Sequence, residues 1–288
     1  MSLLVDGLAL GMLLFLISVG LAITLGLMQF VNLAHGAFAM LGGYVCVILL
    51  NQHGVPFLWT LPCAFAASAA AAWLLEALVY RRLHAAGPLD QILCSMGVVF
   101  MAVAVAHYAF GARQQPVHLP DFLSGTLSLW GAELGVYRLF LIAAGLLVVL
   151  LVQLAVIRTR WGRYVRAAVD NAAMLRSLGV NVDRLLTVTF TLGCGLAGLG
   201  GALGVEMLGL DPEFPLRYLV YFLIVVAMGG SGNIWGAFLS ALLLGLADVL
   251  GKYWVPQLGA FIIYAVMVAA LAWRPQGLLQ RTVARGRG

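Results

Sequence analysis

Long runs of apolar residues without charge occupy most of the chain, and short polar segments separate them. The runs are Gly7–Ala34, Gly36–Leu50, Pro56–Leu75, Gln91–Ala112, Leu139–Ile157, Leu185–Val205, Tyr218–Ala247 and Tyr253–Trp273. A helix that crosses a bilayer needs roughly 20 consecutive apolar residues. The pattern therefore predicts an all-α fold, a polytopic transmembrane helical bundle with about eight to nine spans, eight if one short segment is re-entrant.

Two of these runs are too long for one straight crossing. Gly7–Ala34 and Tyr218–Ala247 are uncharged for 28 and 30 residues, respectively. Polar residues and glycines interrupt the first run at 29–36 and the second at 229–233. Because transporters place substrate routes where membrane helices are discontinuous, each run is predicted to form two helices that meet at a break. The candidate route residues are Asn32, His35, Gly36, Gly230, Ser231 and Asn233.

Two interpretations of the polar residues in these breaks remain open. Asn32 and His35 can hydrogen-bond backbone groups that a broken helix leaves unpaired, or they can line the route itself. Ser231 and Asn233 allow the same two roles. A Gly-Ala-Phe triplet lies at the end of the first break, at 36–38, and another follows the second break, at 236–238. This similarity indicates an internal repeat only weakly.

The composition excludes a soluble protein. Hydrophobic residues make up 63% of the chain and charged residues 9%, and the mean hydropathy is +1.04. An average soluble domain carries about 25% charged residues, so this chain has too few to cover a water-exposed surface. Residues 1–288 are predicted to form a single integral membrane domain surrounded by the lipid bilayer.

The positive charge is concentrated in a few segments between the apolar runs. The net charge is +5, and arginines cluster at 81–82, at 158–184 and from Arg274 to the end of the chain. By the positive-inside rule these segments are predicted to be cytoplasmic, which places the C-terminus inside and the N-terminus outside. This distribution explains the basic character without a nucleic-acid partner.

The segment 158–184 is too polar to enter lipid, and its apolar residues recur at helical spacing. Ala168, Ala172 and Leu175 lie on one predicted face, and Gly179 suits the position that ends a helix. Such an amphipathic helix can dock into a partner's groove, or it can lie on anionic lipid headgroups and hold the topology. Periodicity alone leaves both interpretations open.

Residues capable of chemistry are scattered along the chain. The five histidines, at positions 35, 53, 84, 107 and 118, show no metal-binding spacing and no pairing with a nucleophile. The sequence also has no G-x-x-x-x-G-K-[ST] phosphate loop. It therefore predicts no catalytic residue, no metal site and no enzyme activity.

The four cysteines are Cys46, Cys63, Cys94 and Cys194. Each stands alone in an apolar run, and no C-x-x-C pair occurs, so all four are predicted to be reduced and buried packing residues.

Several motifs together resemble the permeases of branched-chain amino-acid ABC transporters. Asn32-Leu33-Ala34-His35-Gly36, followed by Met40-Leu41-Gly42-Gly43-Tyr44, is similar to the family's N-x-A-H-G…M-x-G-A-Y signature. Further matches in the family's order are Gly162-Arg163, Arg166-Ala167, Ala172-Ala173, Leu178-Gly179-Val180-Asn181, Gly229-Gly230-Ser231-Gly232 and Arg274-Pro275-Gln276-Gly277-Leu278. The resemblance covers nearly the whole chain. It is greatest with the shorter of the two permease types, the high-affinity leucine/isoleucine/valine type.

The resemblance implies an inner-membrane importer with several subunits. A second permease, either a longer homologue or a second copy of this chain, would complete the core. Two ATPase subunits would hydrolyse ATP, so that this chain binds no cofactor, and an extracytoplasmic binding protein would deliver the solute. The segment 158–184 would couple to the ATPase. Its candidate residues are Arg163, Arg166, Ala167, Ala172, Ala173, Leu175 and Gly179.

Other functions remain open from the sequence. Relatives that carry urea or short amides share the signature, so the solute is not fixed by it. A stand-alone channel or facilitator could use the same breaks as a pore without any partner. Small residues at four-residue spacing, Gly193, Ala197 and Gly201, indicate close helix packing, either inside the chain or against a second permease.

Overall fold

The computed structural model describes residues 2–28, 32–83, 87–117, 119–129, 132–230, 232–274 and 277–279. Its helices are α1 (Ser2–Met28), α2 (His35–Asn51), α3 (Phe57–Leu75), α4 (Arg81–Leu83), α5 (Pro88–Phe110), α6 (Val136–Arg158), α7 (Arg160–Ser177), α8 (Val182–Leu208), α9 (Phe214–Gly229), α10 (Ile234–Trp254) and α11 (Gly259–Trp273). A π-helical turn, Glu76–Tyr80, joins α3 to α4, and a 3-10 turn, Pro256–Leu258, precedes α11. The architecture is the helical bundle that the apolar runs predict.

Six segments within the described residues are long and apolar enough to cross a membrane. They are Ser2–Leu27, Phe57–Leu83, Leu89–Phe110, Val136–Arg158, Val182–Leu208 and Ile234–Trp254. Three further apolar helices are shorter: His35–Asn51, Phe214–Gly229 and Phe261–Trp273. Two of these short helices, α2 and α9, adjoin the predicted breaks.

Helix α1 forms the centre of the bundle. Its residues from Leu13 to Ile17 are fully buried. α10 packs antiparallel against it, because Gly7 lies beside Leu246 and the ring of Phe15 meets that of Phe238 edge-on at 5.4 Å. The most apolar run of the N-terminal region is therefore covered by protein rather than by lipid.

Close helix contacts at small residues hold α8 inside the same bundle. Gly193 faces Gly20 of α1, and Gly201 faces Ala39 of α2, so closely that an added Cβ would collide with backbone atoms. Ala197 is fully buried as well. In a bilayer, helices associate largely by such close packing of small residues. The small-residue face of α8 thus packs within this chain.

In both overlong runs the helix is interrupted at the position that the polar residues and glycines predict. α1 ends at Met28 and α2 begins at His35, while α9 ends at Gly229 and α10 begins at Ile234. The two Gly-Ala-Phe triplets, 36–38 and 236–238, lie in the first turns of α2 and α10. Positions 29–31 of the first break and Ser231 of the second lie outside the described residues.

A small β-hairpin departs from the all-α prediction. Strands β1 (Thr126–Leu129) and β2 (Ala132–Gly135) pair antiparallel, with Thr126 opposite Gly135 and Leu127 opposite Leu134. Each strand has only four residues, which is too short to give a readable alternation in the sequence. The hairpin leads directly into α6.

The cysteine prediction is wrong at one position. Cys46 and Cys194 are buried, Cys94 is partly buried, and Cys63 is exposed on the surface of the single chain. A membrane helix can present an apolar face outward, so an apolar neighbourhood in the sequence does not imply burial inside the protein.

Candidate functional site

The first break is ordered by a buried asparagine. Asn32 is 1% exposed, and its Oδ1 accepts hydrogen bonds from the backbone N–H of Ala34 and from the hydroxyl of Tyr80, both at 3.1 Å. The N-cap of α2 is Ala34, and among the described residues no side-chain hydrogen bond caps that helix. Asn32 therefore shapes the turn before α2 and ties it to the π-helical turn, rather than capping the helix directly.

His35, the first residue of α2, links the first break to α1 and α8. Its Nε2 lies 2.7 Å from the carbonyl oxygen of Ile17, so this nitrogen carries the proton and donates. The other ring nitrogen, Nδ1, lies 3.9 Å from the Sγ of Cys194 and accepts from the thiol. The side chain is 1% exposed. Both nitrogens thus have partners inside the protein, which a polar group at membrane depth requires.

Gly36 allows α9 to approach the start of α2. A Cβ at this position would lie 3.1 Å from the Cα of Pro215 and 3.4 Å from the ring of Phe222. The distance to Pro215 is tighter than most van der Waals contacts, so even an alanine would require the start of α9 to shift by a few tenths of an ångström. The first break is therefore in direct contact with the helix that leads to the second break.

The second break is a tight turn between α9 and α10. Gly230 and Gly232 have φ angles of +83° and +77°, which favour glycine. Asn233 is the N-cap of α10, and its Oδ1 accepts from the backbone N–H of Gly236 at 3.0 Å. Gly230 is buried and Asn233 is partly buried. For Asn233, the structure shows the capping role.

Three other parts of the chain meet at the second break. The N–H of Gly232 donates to the carbonyl oxygen of Ala22 in α1 at 2.9 Å. A Cβ at Gly232 would lie 3.2 Å from Val169 of α7. From the C-terminal segment, Leu278 donates its N–H to the carbonyl oxygen of Met228 at 2.8 Å. The break is therefore in contact with α1, α7 and the end of the chain at once.

The two breaks share α1 as a common support. His35 bonds to residue 17 of α1 and Gly232 to residue 22. Five residues span about 7.5 Å along a helix. α9 also joins them, since its Phe222 packs near Gly36 and its last residue, Gly229, enters the second break. A movement of α9 relative to α1 would thus change both breaks together.

The segment 158–184 forms a kinked helix rather than a straight one. α7 bends at Asn171 (φ −158°, ψ 93°), whose Oδ1 accepts from the N–H of Met174 at 2.9 Å and so starts the second half. At the end, Gly179 has a φ of +82°, and the N–H of Val180 donates to the carbonyl oxygen of Leu175. These bonds form a Schellman motif, as the position of Gly179 predicts.

The two faces of α7 differ sharply in exposure. Its inner face, with Val165, Ala168 and Leu175, is buried against the bundle. The candidate coupling residues Arg163, Arg166, Ala167, Ala173 and Gly179 are exposed, and Ala172 is partly buried. Leu175 is only 5% exposed, so its contacts are with this chain itself. The exposed apolar side chains on α7 and just after it are Tyr164, Met174 and Leu178.

Comparison with known proteins assigns the chain to a family. A family model described as "Branched-chain amino acid transport system / permease component" matches residues 3–271. The chain belongs to this permease family. Together with six apolar helices of spanning length, this places the permease in a membrane.

The permease is similar to curated relatives over almost its whole length. The "High-affinity branched-chain amino acid transport system permease protein BraD" of Pseudomonas aeruginosa is 28% identical, with 96% of this chain and 95% of the relative covered. LivH of Escherichia coli (strain K12), which bears the same description, is 25% identical over 96% and 94%. LivM of the same strain is 27% identical, but only 70% of its length is covered. No solved structure is significantly similar to the chain.

These matches confirm the family indicated by the motifs, and the near-complete coverage of BraD and LivH agrees with the shorter permease type. The relatives are named as permease proteins of transport systems. The permease is accordingly a transport component and not an enzyme.

Sequence reasoning missed the π-helical turn of the permease, which begins at Glu76 and ends at Tyr80. Tyr80 is 1% exposed, and its ring packs edge-on against that of Phe190 at 5.5 Å. The sequence shows only a tyrosine before two arginines at the end of an apolar run, and an inserted π turn has no signature in hydropathy. Once the structure shows the π turn, the turn itself marks a candidate functional site, because π turns inside helices are frequent at functional sites.

A cavity of about 680 Å³ opens beside the first break of the permease. It lies between α2, the end of α3 and α5, and its walls are almost entirely apolar. Phe38, Leu41 and Tyr44 of α2 form one side, and Val98 and Met101 of α5 form the other. The cavity begins about one turn after His35, so the polar break and the apolar cavity are adjacent along one helix.

Proposed function

We propose that this permease is the membrane-spanning subunit of an ATP-binding-cassette importer that carries branched-chain amino acids into the cytoplasm. The observation that carries the proposal is the family match over residues 3–271, supported by relatives named for branched-chain amino acid transport. The apolar cavity beside the first break suits an aliphatic side chain, which favours these solutes over urea or short amides.

The translocation route is proposed to pass the two breaks. Candidate residues on it are Asn32, His35, Gly36, Gly230, Ser231 and Asn233. Most polar groups described at the breaks already bond to protein, so we infer that they hold the breaks in shape while adjacent surfaces contact the solute. Because α9 contacts both breaks, a shift of α9 against α1 would alter the route at two levels together.

The partners of this single permease domain, residues 1–288, are proposed from the same family relationship. A second permease, either a homologous longer chain such as a LivM-like protein or another copy, would complete the core. ATPase subunits would bind and hydrolyse ATP, so this chain needs no cofactor. An extracytoplasmic binding protein would supply the solute. The exposed face of α7, with Arg163, Arg166, Ala167 and Ala173, is the proposed coupling surface.

The proposed orientation places α7 and the C-terminus in the cytoplasm and the β-hairpin outside. The arginine clusters favour this arrangement. The six long apolar segments together with α2, α9 and α11 would give nine crossings. Nine crossings separate an outer N-terminus from an inner C-terminus.

Reconstitution tests the proposed function directly. Proteoliposomes would contain this permease, its candidate partner permease, the ATPase and the binding protein, with each component omitted in turn. We expect ATP-dependent leucine uptake that requires all four and is competed by isoleucine and valine. ATP-dependent uptake of urea or an amide would retain the importer and replace the solute. Flux through the permease alone would contradict the importer and support a channel.

A further inference from the structure

A polar cleft lies outside both breaks. It has a volume of about 570 Å³ and opens between the π-helical turn after α3 and the first turns of α8. Glu76, Arg81 and Arg184 contribute its charged groups, and Trp73 and Leu192 contribute apolar surface. Unlike the cavity beside α2, this cleft combines both signs of charge with an apolar wall.

Glu76 in this cleft is buried without a hydrogen-bond donor or a cation among the described residues to offset its charge. It is 1% exposed, its Oε1 has no hydrogen-bond partner, and no described cation lies within 4 Å of its carboxylate. A second buried oxygen in the same lining, Oγ1 of Thr191, also lacks a hydrogen-bond partner. A buried carboxylate without a partner is costly, so the arrangement calls for a group that the protein alone does not provide.

The two arginines of the cleft also have no acidic partner among the described residues. Arg81 and Arg184 are exposed, and within the described part of the chain neither guanidinium forms an ion pair. Elsewhere acids and bases at this end of the bundle do pair, as Arg176 and Asp183 do at 3.2 Å. The lining of the cleft thus contains a carboxylate and two guanidiniums that form no ion pair with one another.

We propose that this cleft binds a zwitterion, a ligand with an ammonium group close to an anionic group. The ammonium would meet the carboxylate of Glu76, which can accept charge-assisted hydrogen bonds, and the anion would meet Arg81 and Arg184. An aliphatic side chain or tail would lie against Trp73 and Leu192.

Two sources offer this chemistry. One is a free branched-chain amino acid on the side of the membrane that carries α7, which under the proposed function is the imported product. The other is the headgroup of an aminophospholipid such as phosphatidylethanolamine, since the cleft is bordered by exposed apolar residues. Only the choice of leucine as a probe rests on the proposed function.

Occupation of the cleft would be transmitted to the first break. Glu76 and Tyr80 lie on the same π-helical turn, and the hydroxyl of Tyr80 donates to Asn32. A ligand that draws Glu76 toward the cleft would therefore act on the turn that anchors Asn32. A zwitterion bound in the cleft would thus change the conformation of the first break without entering that break.

The test is leucine binding to the purified full chain in nanodiscs of phosphatidylglycerol, without ATPase or binding protein, measured by equilibrium dialysis. We expect Glu76→Gln and Arg184→Gln to weaken binding by about tenfold or more, as expected for loss of a charge-assisted hydrogen bond. The matched controls Glu133→Gln and Arg82→Gln, at exposed positions outside the cleft, should bind as wild type does. Wild-type protein should bind leucinamide, which lacks the carboxylate, and 4-methylpentanoate, which lacks the ammonium, far more weakly than leucine.

A second arm identifies the lipid source. In nanodiscs that also contain phosphatidylethanolamine, native mass spectrometry would measure lipid retained by the wild type and by Glu76→Gln. Retention that depends on Glu76, without leucine binding, would support the proposal with a lipid as its ligand. If neither leucine nor phosphatidylethanolamine depends on Glu76, the zwitterion site is overturned. Because these assays need no uptake, their result is independent of the reconstitution experiment.

Discussion

Buried polar side chains at the first break satisfy backbone and side-chain groups that a discontinuous helix leaves free. Asn32 accepts from Ala34 and Tyr80, and His35 donates to the carbonyl oxygen of Ile17. In a bilayer such groups have no water to bond with, so each lost partner leaves an unsatisfied polar atom. At the residue scale, these bonds fix where α2 begins.

Tyr80→Phe tests the bond to Asn32. The ring would keep its packing against Phe190, while Asn32 would lose one donor. Hydrogen bonds within membrane proteins contribute roughly 0.5–2 kcal/mol each. We expect the melting temperature to fall by a few degrees and uptake in the reconstituted importer to fall severalfold.

Tyr137→Phe is the matched control for that substitution. Its hydroxyl also donates a hydrogen bond, in this case to the backbone carbonyl oxygen of Leu203 at 2.6 Å, and the side chain is also buried. It should lose similar stability but keep uptake, since it does not contact either break. Equal uptake in both variants would contradict a special role for Tyr80.

At the scale of the element, α7 has an inner face that holds it to the bundle and an exposed outer face, which is the proposed coupling surface. Helical periodicity predicted Ala168 and Leu175 on one face, and both are buried. The kink was not predicted, because apolar spacing does not reveal that Asn171 caps a second helix start. After the kink, Met174 and Leu178 are 62% and 70% exposed, respectively.

The two faces of α7 should respond differently to the same charge. Leu175→Asp buries a carboxylate in the core of the chain, so we expect little protein in the membrane. Met174→Asp changes only an exposed side chain, so we expect normal abundance but strongly reduced ATP-dependent uptake. Quantitative immunoblotting of membranes and uptake in proteoliposomes would separate the two effects. Normal uptake with Met174→Asp would remove this face from the coupling surface.

At the scale of the whole molecule, the bundle is organised around α1. α8 and α10 both run antiparallel to it, and both breaks bond to it. The proposed orientation then places the β-hairpin on one side of the membrane and α7 on the other.

Cysteine labelling tests this orientation. In a Cys63→Ser background, which removes the exposed native thiol, Thr126→Cys lies in the hairpin and Ser177→Cys at the end of α7. We expect a membrane-impermeant maleimide to label Thr126→Cys in intact spheroplasts and Ser177→Cys only after lysis. The reverse labelling would invert the proposed topology.

The sequence by itself determined the helical membrane class, the positions of both breaks, the glycine that ends α7 and the family. Each of these depends on local composition or on the order of short motifs, such as the glycines at 229, 230 and 232. Hydropathy and turn preferences act over a few residues, so they are visible without a fold.

Only the tertiary structure decided which buried groups meet. Tyr80 lies 48 residues from Asn32, and Cys194 lies 159 residues from His35. The unpaired Glu76 and the internal packing of the α8 glycines likewise depend on which helices become neighbours. An apolar helix face has the same sequence pattern whether it packs against protein or against lipid, so the local pattern cannot show which of the two it contacts. Close packing and the need to pair every buried polar group make that choice.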